Sequence, residues 1–86
     1  MNLLPGPVFG LGETTIAGFR PERARLSTAG LRGRVTRVER TGADVYVHLI
    51  TAHGPVIVRT ASSEAPSHDT ELCVAVERDA LCEYDA

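Results

Sequence analysis

Apolar and polar positions alternate over most of this chain, and no stretch longer than a turn shows the 3.6-residue apolar period of a helix. Glu13-Thr14-Thr15-Ile16-Ala17-Gly18-Phe19 reads as a strand, broken by Arg20-Pro21-Glu22 because Pro21 fixes φ and lacks a donor. Arg23 to Leu26 is either one turn of helix or an extended link, and Ser27-Thr28-Ala29-Gly30 is a loop. Leu31 to Arg40 is the next strand. Its Val35 and Val38 lie three apart, so either a bulge separates them or one of them faces outward. Thr41-Gly42-Ala43-Asp44 is a hairpin turn. Val45 to Ile50 has the clearest alternation, with Val45, Val47 and Leu49 on one face and Tyr46, His48 and Ile50 on the other. His53-Gly54-Pro55 turns the chain into an antiparallel return at Val56 to Arg59. A polar loop from Ala61 to Thr70 leads to a strand at Leu72–Val76, a turn at Glu77-Arg78-Asp79, and a short final strand from Leu81 to Tyr84. About six or seven short strands at this spacing predict an all-β fold, a small antiparallel barrel closed in the OB manner.

Eighty-six residues hold one domain with one core, and with four aromatics and no Trp that core must be built from Val, Leu and Ile. So small a core leaves a thin stability margin, which favours support from a longer chain or an oligomer. The net charge of −2 conceals an asymmetry. Residues 1–43 carry seven Arg against Glu13, Glu22 and Glu39, whereas residues 44–86 carry Arg59 and Arg78 against eight acids. The two halves are expected to complement each other across a sheet or a dimer interface; a basic face for an anionic partner is the other reading. All nine basic residues are Arg. Without lysine there is no P-loop and no Schiff base. Cys73 and Cys82 do not form a disulfide framework, residues 1–19 lack the charged start of a secretory signal, and no apolar run spans a membrane, a set that points to a reducing, cytosolic setting.

Candidate chemistry is sparse. Gly10-Leu11-Gly12 begins like a dinucleotide fingerprint, but position 15 is Thr and no helix follows to receive a pyrophosphate. His48, His53 and His68 match no metal-ligand spacing, and neither cysteine has a CxxC partner. Ser62, Ser63 and Ser67 stand near His68 and Asp69 in a polar loop with no strand-to-helix elbow, so no nucleophile, cofactor site or metal site is assigned. Arg32, Arg34, Arg37 and Arg40 are the strongest lure. Arg32 and Arg34 share a strand face, with Tyr46 on the neighbouring strand as the nearest stacking platform; since their own strand holds no aromatic, single-stranded nucleic acid remains only an alternative.

The order of several short motifs points to a family. Met1-Asn2-Leu3-Leu4-Pro5-Gly6 resembles the segment that follows the nucleotide-binding domain in carbohydrate-importer ABC ATPases. Gly18-Phe19-Arg20-Pro21-Glu22 is similar to their G-[IVF]-R-P-E motif, and Leu31–Glu39 with Gly42–His48 resembles the paired strands of the transport-associated OB (TOBE) domain. Leu81–Ala86 stands where that family ends in an L-H-L-F-D-like strand, with Cys82 and Glu83 departing from the pattern. The resemblance implies one TOBE domain over residues 1–86, with a leading strand and RPE segment at 1–30 and the main barrel strands at 31–86, as a fragment of a longer subunit. It implies a regulatory and dimerisation role in sugar import, without ATP hydrolysis by these residues. ATP and Mg would belong to a preceding ATPase domain. Implied partners are a second copy, that ATPase domain, through it the membrane permease subunits, and a regulatory protein, at the cytoplasmic face of the membrane and without insertion into it. Arg20, Pro21, Glu22, Arg32, Arg34 and Tyr46 are the motif or interface candidates. A small-oxyanion module like the molybdate-binding relatives is the first alternative, ahead of a single-stranded nucleic-acid binder, though no lysine is available to it.

Overall fold

The computed structural model describes all 86 residues. Eight strands form: β1 Asn2–Pro5, β2 Thr15–Phe19, β3 Ala24–Ser27, β4 Leu31–Thr41, β5 Asp44–Thr51, β6 Gly54–Ala61, β7 Glu71–Val76 and β8 Cys82–Asp85. No α-helix is present, and single 3-10 turns occupy Gly6–Phe9, Pro21–Arg23, Ser62–Glu64 and Arg78–Ala80. Every strand pairing is antiparallel. β1, β2 and β8 make a three-stranded sheet with β2 at its centre, and the others a five-stranded sheet in the order β3-β7-β4-β5-β6. The expected all-β fold is therefore present. It has eight strands where six or seven were expected, and its larger sheet curls like an OB barrel without closing. Its edge strands β3 and β6 pack together, and Pro21–Arg23 packs on β6, but no ladder joins those edges.

Alternation sets which side chains are buried. Val45, Val47 and Leu49 of β5 face Val56 and Val58 of β6, all at most 1% exposed. Val35, Val74 and Ala24 extend that layer, and Leu4 and Phe19 close it from the smaller sheet. Phe9, delivered by the first 3-10 turn, meets Phe19 edge-on with ring centroids 5.6 Å apart. In β4 the bulge is the alternative that holds. Val35 pairs with Leu49 and Arg37 with His48, leaving Thr36 as the extra residue, so both Val35 and Val38 face the core. The Thr36 hydroxyl donates to the His48 carbonyl at 3.3 Å. Gly42, at φ 80°, takes the first central position of a two-residue hairpin, where positive φ suits glycine. Arg23–Leu26 resolves into the end of a 3-10 turn followed by extended chain.

The polar loop at 61–70 ends in an unexpected role. The Val35 N–H donates to the Thr70 carbonyl at 2.9 Å and the Asp69 N–H to the Val35 carbonyl at 2.8 Å, which extends the β4–β7 ladder past β7.

β1 is the strand that alternation did not reveal, and its Asn2 joins the two sheets. β6 is an edge, so Ile57 has a backbone N–H and C=O directed away from β5. The Asn2 amide donates to the Ile57 carbonyl at 2.8 Å, and the Ile57 N–H donates to Asn2 Oδ1 at 2.7 Å. Asn2 is 6% exposed, and no buried side-chain polar atom in the molecule lacks a partner.

Candidate interaction surfaces

The six candidate residues separate into two places. Arg20-Pro21-Glu22 carries the chain from the small sheet to the large one. Pro21 opens a 3-10 turn, its carbonyl accepts the Ala24 N–H, and the Arg23 N–H donates to the Arg20 carbonyl at 2.9 Å. The Arg20 and Glu22 side chains are exposed and make no hydrogen bond or ion pair, so the motif is a connection rather than a cluster of reactive groups. Arg32, Arg34 and Tyr46 do share a surface, the outer face of the five-stranded sheet. Arg32 approaches Glu71 at 4.0 Å, Arg34 stands between Glu71 and Ile50, and Tyr46 lies two rows further along β5 between Glu39 and Arg59. The row between them holds Arg37 and His48, both directed at Glu39, at 3.5 and 3.1 Å. Glu39 and Glu71 thus lie among the arginines and break up the positive field that a nucleic-acid backbone needs.

The charge asymmetry of the sequence is spent within the fold. Arg23 pairs with Asp79 at 3.4 Å, Arg25 with Glu77 at 2.7 Å and Arg32 with Glu71, each joining a basic residue of the first half to an acid of the second. All are exposed, so each contributes about 0–1 kcal/mol and serves register more than stability. The three histidines sit apart: His53 is at a hairpin tip, and His68 pairs with its neighbour Asp69 at 3.2 Å. No three His, Cys, Asp or Glu side chains gather as a metal site would need. Cys73 is half-buried and Cys82 exposed, and both are free thiols.

A different surface stands out, one with no signal in the strand-by-strand pattern. Register places Leu3 and Pro5 of β1, Ile16 and Gly18 of β2, and Cys82 and Tyr84 of β8 on the outer face of the three-stranded sheet. Leu3 is 57% exposed, Met1 56% and Tyr84 44%, three of the four exposed large apolar side chains of the molecule. They converge over Gly18, where an added Cβ would stand 2.8 Å from the Tyr84 ring and 2.9 Å from the Met1 sulfur. None of the charged side chains lies in these rows. A solvated antiparallel sheet carries polar residues outward, so this face has the composition of an interface. The signal was non-local: it required knowing that both ends of the chain flank β2.

A family model described as the TOBE domain matches residues 17–82. The chain belongs to that family. This TOBE domain is also similar to the sn-glycerol-3-phosphate import ATP-binding protein of Chromobacterium violaceum, 37% identical over 78 residues. The match covers 87% of this chain and 21% of that protein, so the chain spans about a fifth of the length of the curated relative it matches. The open, eight-stranded arrangement and the RPE-type connection are what this TOBE sequence folds into, and no helix in it is long and apolar enough to cross a membrane.

Proposed function

We propose that this chain is the regulatory TOBE module of the ATP-binding subunit of a carbohydrate-type ABC importer, and that it holds two such subunits together through the outer face of its three-stranded sheet. The similarity to an importer's ATP-binding protein supports the assignment to such a subunit. The uncharged apolar face carries the contact role. Leu3, Ile16 and Tyr84 offer area whose burial is favourable, at about 25 cal/mol per Å2. A face whose side chains carry no charge can meet its own copy across a two-fold axis, since no side chain on it demands an opposite charge opposite it. The rest of the surface, dense in arginine and carboxylate, lacks that property.

In this reading ATP and Mg are handled by the rest of the subunit, and the module contributes stiffness. Two sheets locked by a Val-rich core and by the Asn2–Ile57 bonds form a rigid body that keeps one contact closed while nucleotide-binding domains open and close. Uptake of a sugar or, as in the relative's name, of sn-glycerol-3-phosphate is then an activity of the assembled transporter at the cytoplasmic face of the membrane.

Light scattering on the chain over a range of concentrations tests the contact. A dimer is expected, and Leu3→Glu, which changes an exposed side chain without touching the core, is expected to return a monomer with unchanged circular dichroism. A mass that stays at 9.2 kDa up to about 1 mM would overturn the contact.

A further inference from the structure

β5 and β6 carry apolar side chains on both of their faces. Val45, Val47, Leu49, Val56 and Val58 point into the core. On the opposite, outer face the register sets Ile50 beside Pro55, His48 beside Ile57 and Tyr46 beside Arg59. Ile50 is the fourth exposed large apolar side chain of the molecule, at 43%, Pro55 is exposed as well, and Ile57 and Tyr46 are half-buried. An antiparallel strand with one solvated face alternates apolar with polar, whereas a strand apolar on both faces is one that is covered on both. The outer face of β5 and β6 has the make-up of a covered face, and yet Ile50 and Pro55 stand exposed on it.

Charges border this strip on the same face. Arg34 is the β4 neighbour of Ile50 at one end, and Arg59 stands beside Tyr46 at the other. Neither belongs to an ion pair. Glu71, across from Arg34 on β7, is approached by Arg32 at 4.0 Å. Between the two ends Arg37 and His48 both turn to Glu39, and Asp44 lies one row beyond Tyr46. A strand spacing of about 4.8 Å and a rise of about 3.4 Å per residue set the Arg34 and Arg59 positions about 10 Å apart across the sheet and about 14 Å apart along it. A helix is about 10 Å wide and rises about 1.5 Å per residue, so about nine residues of one helix laid along the strands reach both positions. An extended segment fits less well. The outward N–H and C=O of Ile57 are taken by Asn2, which closes that point of the β6 edge to strand addition.

We propose that the outer face of β5 and β6 receives an acidic amphipathic helix of another protein. Its apolar stripe lies on Ile50, Pro55, Ile57 and Tyr46, and a carboxylate near each end meets Arg34 and Arg59. The site is on a different sheet from the proposed subunit contact and does not depend on it. NMR titration of the isotope-labelled 86-residue chain tests it with three synthetic helical peptides of about 15 residues. The first carries Leu at i, i+4, i+7 and i+11 with Glu on both flanks of that stripe. The second replaces its Glu by Lys, and the third its Leu by Ser. The first is expected to shift the amides of His48, Ile50 and Ile57 with a Kd of about 1 mM or tighter, and the other two to bind at least about tenfold more weakly. Arg34→Glu and Arg59→Glu, both at exposed positions, are each expected to weaken the first peptide about fivefold to tenfold, since an attraction becomes a repulsion. Leu3→Glu is expected to leave the affinity unchanged, so a failed subunit contact and a failed helix site give different results. Absence of shifts at these amides, equal binding of the Lys peptide, or shifts that neither arginine variant alters would overturn the proposal. So would shifts of the same amides on concentrating the chain alone, which would give the face to a second copy.

Discussion

The amide of Asn2 satisfies the outward N–H and C=O of Ile57, donor and acceptor at once from the two arms of one carboxamide. Asn2→Ala is expected to cost about 1–3 kcal/mol in urea unfolding, because the two groups it serves lie at a partly buried edge. Asn2→Asp at pH 7 is expected to cost at least as much, since a carboxylate replaces the donor and faces the Ile57 carbonyl. A midpoint unchanged by both substitutions would show that solvent replaces the amide without penalty. Nothing in the sequence marked this residue. Asn2 reads as one polar position in an apolar hexapeptide, and its partner lies 55 residues away. The arginines are the opposite case. Their concentration in the first half and that of the acids in the second were plain in the sequence, and the pairs Arg23–Asp79 and Arg25–Glu77 are where that pattern leads.

Among the elements, β4 is the most informative, because its pattern left two alternatives and its ladder selects one. Val35 and Val38 both face inward since Thr36 is an extra residue. Deleting Thr36 restores simple alternation and keeps Arg37 and Val38 on their present faces, so this variant is expected to fold, at a cost of roughly 1–3 kcal/mol for the lost bend. Deleting Arg34 is expected to abolish folding, because Gly33 and Val35, both inward, become neighbours and alternation fails. The dispersion of amide resonances in the two deletion variants checks the pair, and equal spectra would contradict the bulge account. β5 and β6 were legible because both show period two and a hairpin with glycine joins them. β1 was not, since four residues ending in proline carry too little period to read, and it becomes a strand only by pairing with β2. The outer face of that sheet was hidden for the same reason: Leu3, Ile16 and Tyr84 belong to three segments that only long-range pairing aligns.

For the molecule as a whole, Phe19 is where the two sheets are tied through the core, 1% exposed and edge-on to Phe9. Phe19→Ala is expected to cost about 3–5 kcal/mol, a large part of the roughly 5–15 kcal/mol that native domains possess. Calorimetry is expected to show a lowered or vanished cooperative transition, and a transition within a few degrees of the parent would show that the sheets stand without this contact. If two copies associate as proposed, that transition moves up with protein concentration in the parent and not in Leu3→Glu. The placement of β1 and β8 on either side of β2 has a mechanical meaning as well. Both run antiparallel to β2, so Met1 emerges at one end of the small sheet and Ala86 at the other. Tension applied between those two points runs along the strands and loads the rungs of both ladders together, in shear, instead of peeling them one by one. The smallest sheet of the molecule is therefore the part that bears force first, and it shields the Val-rich layer behind it from being pulled open.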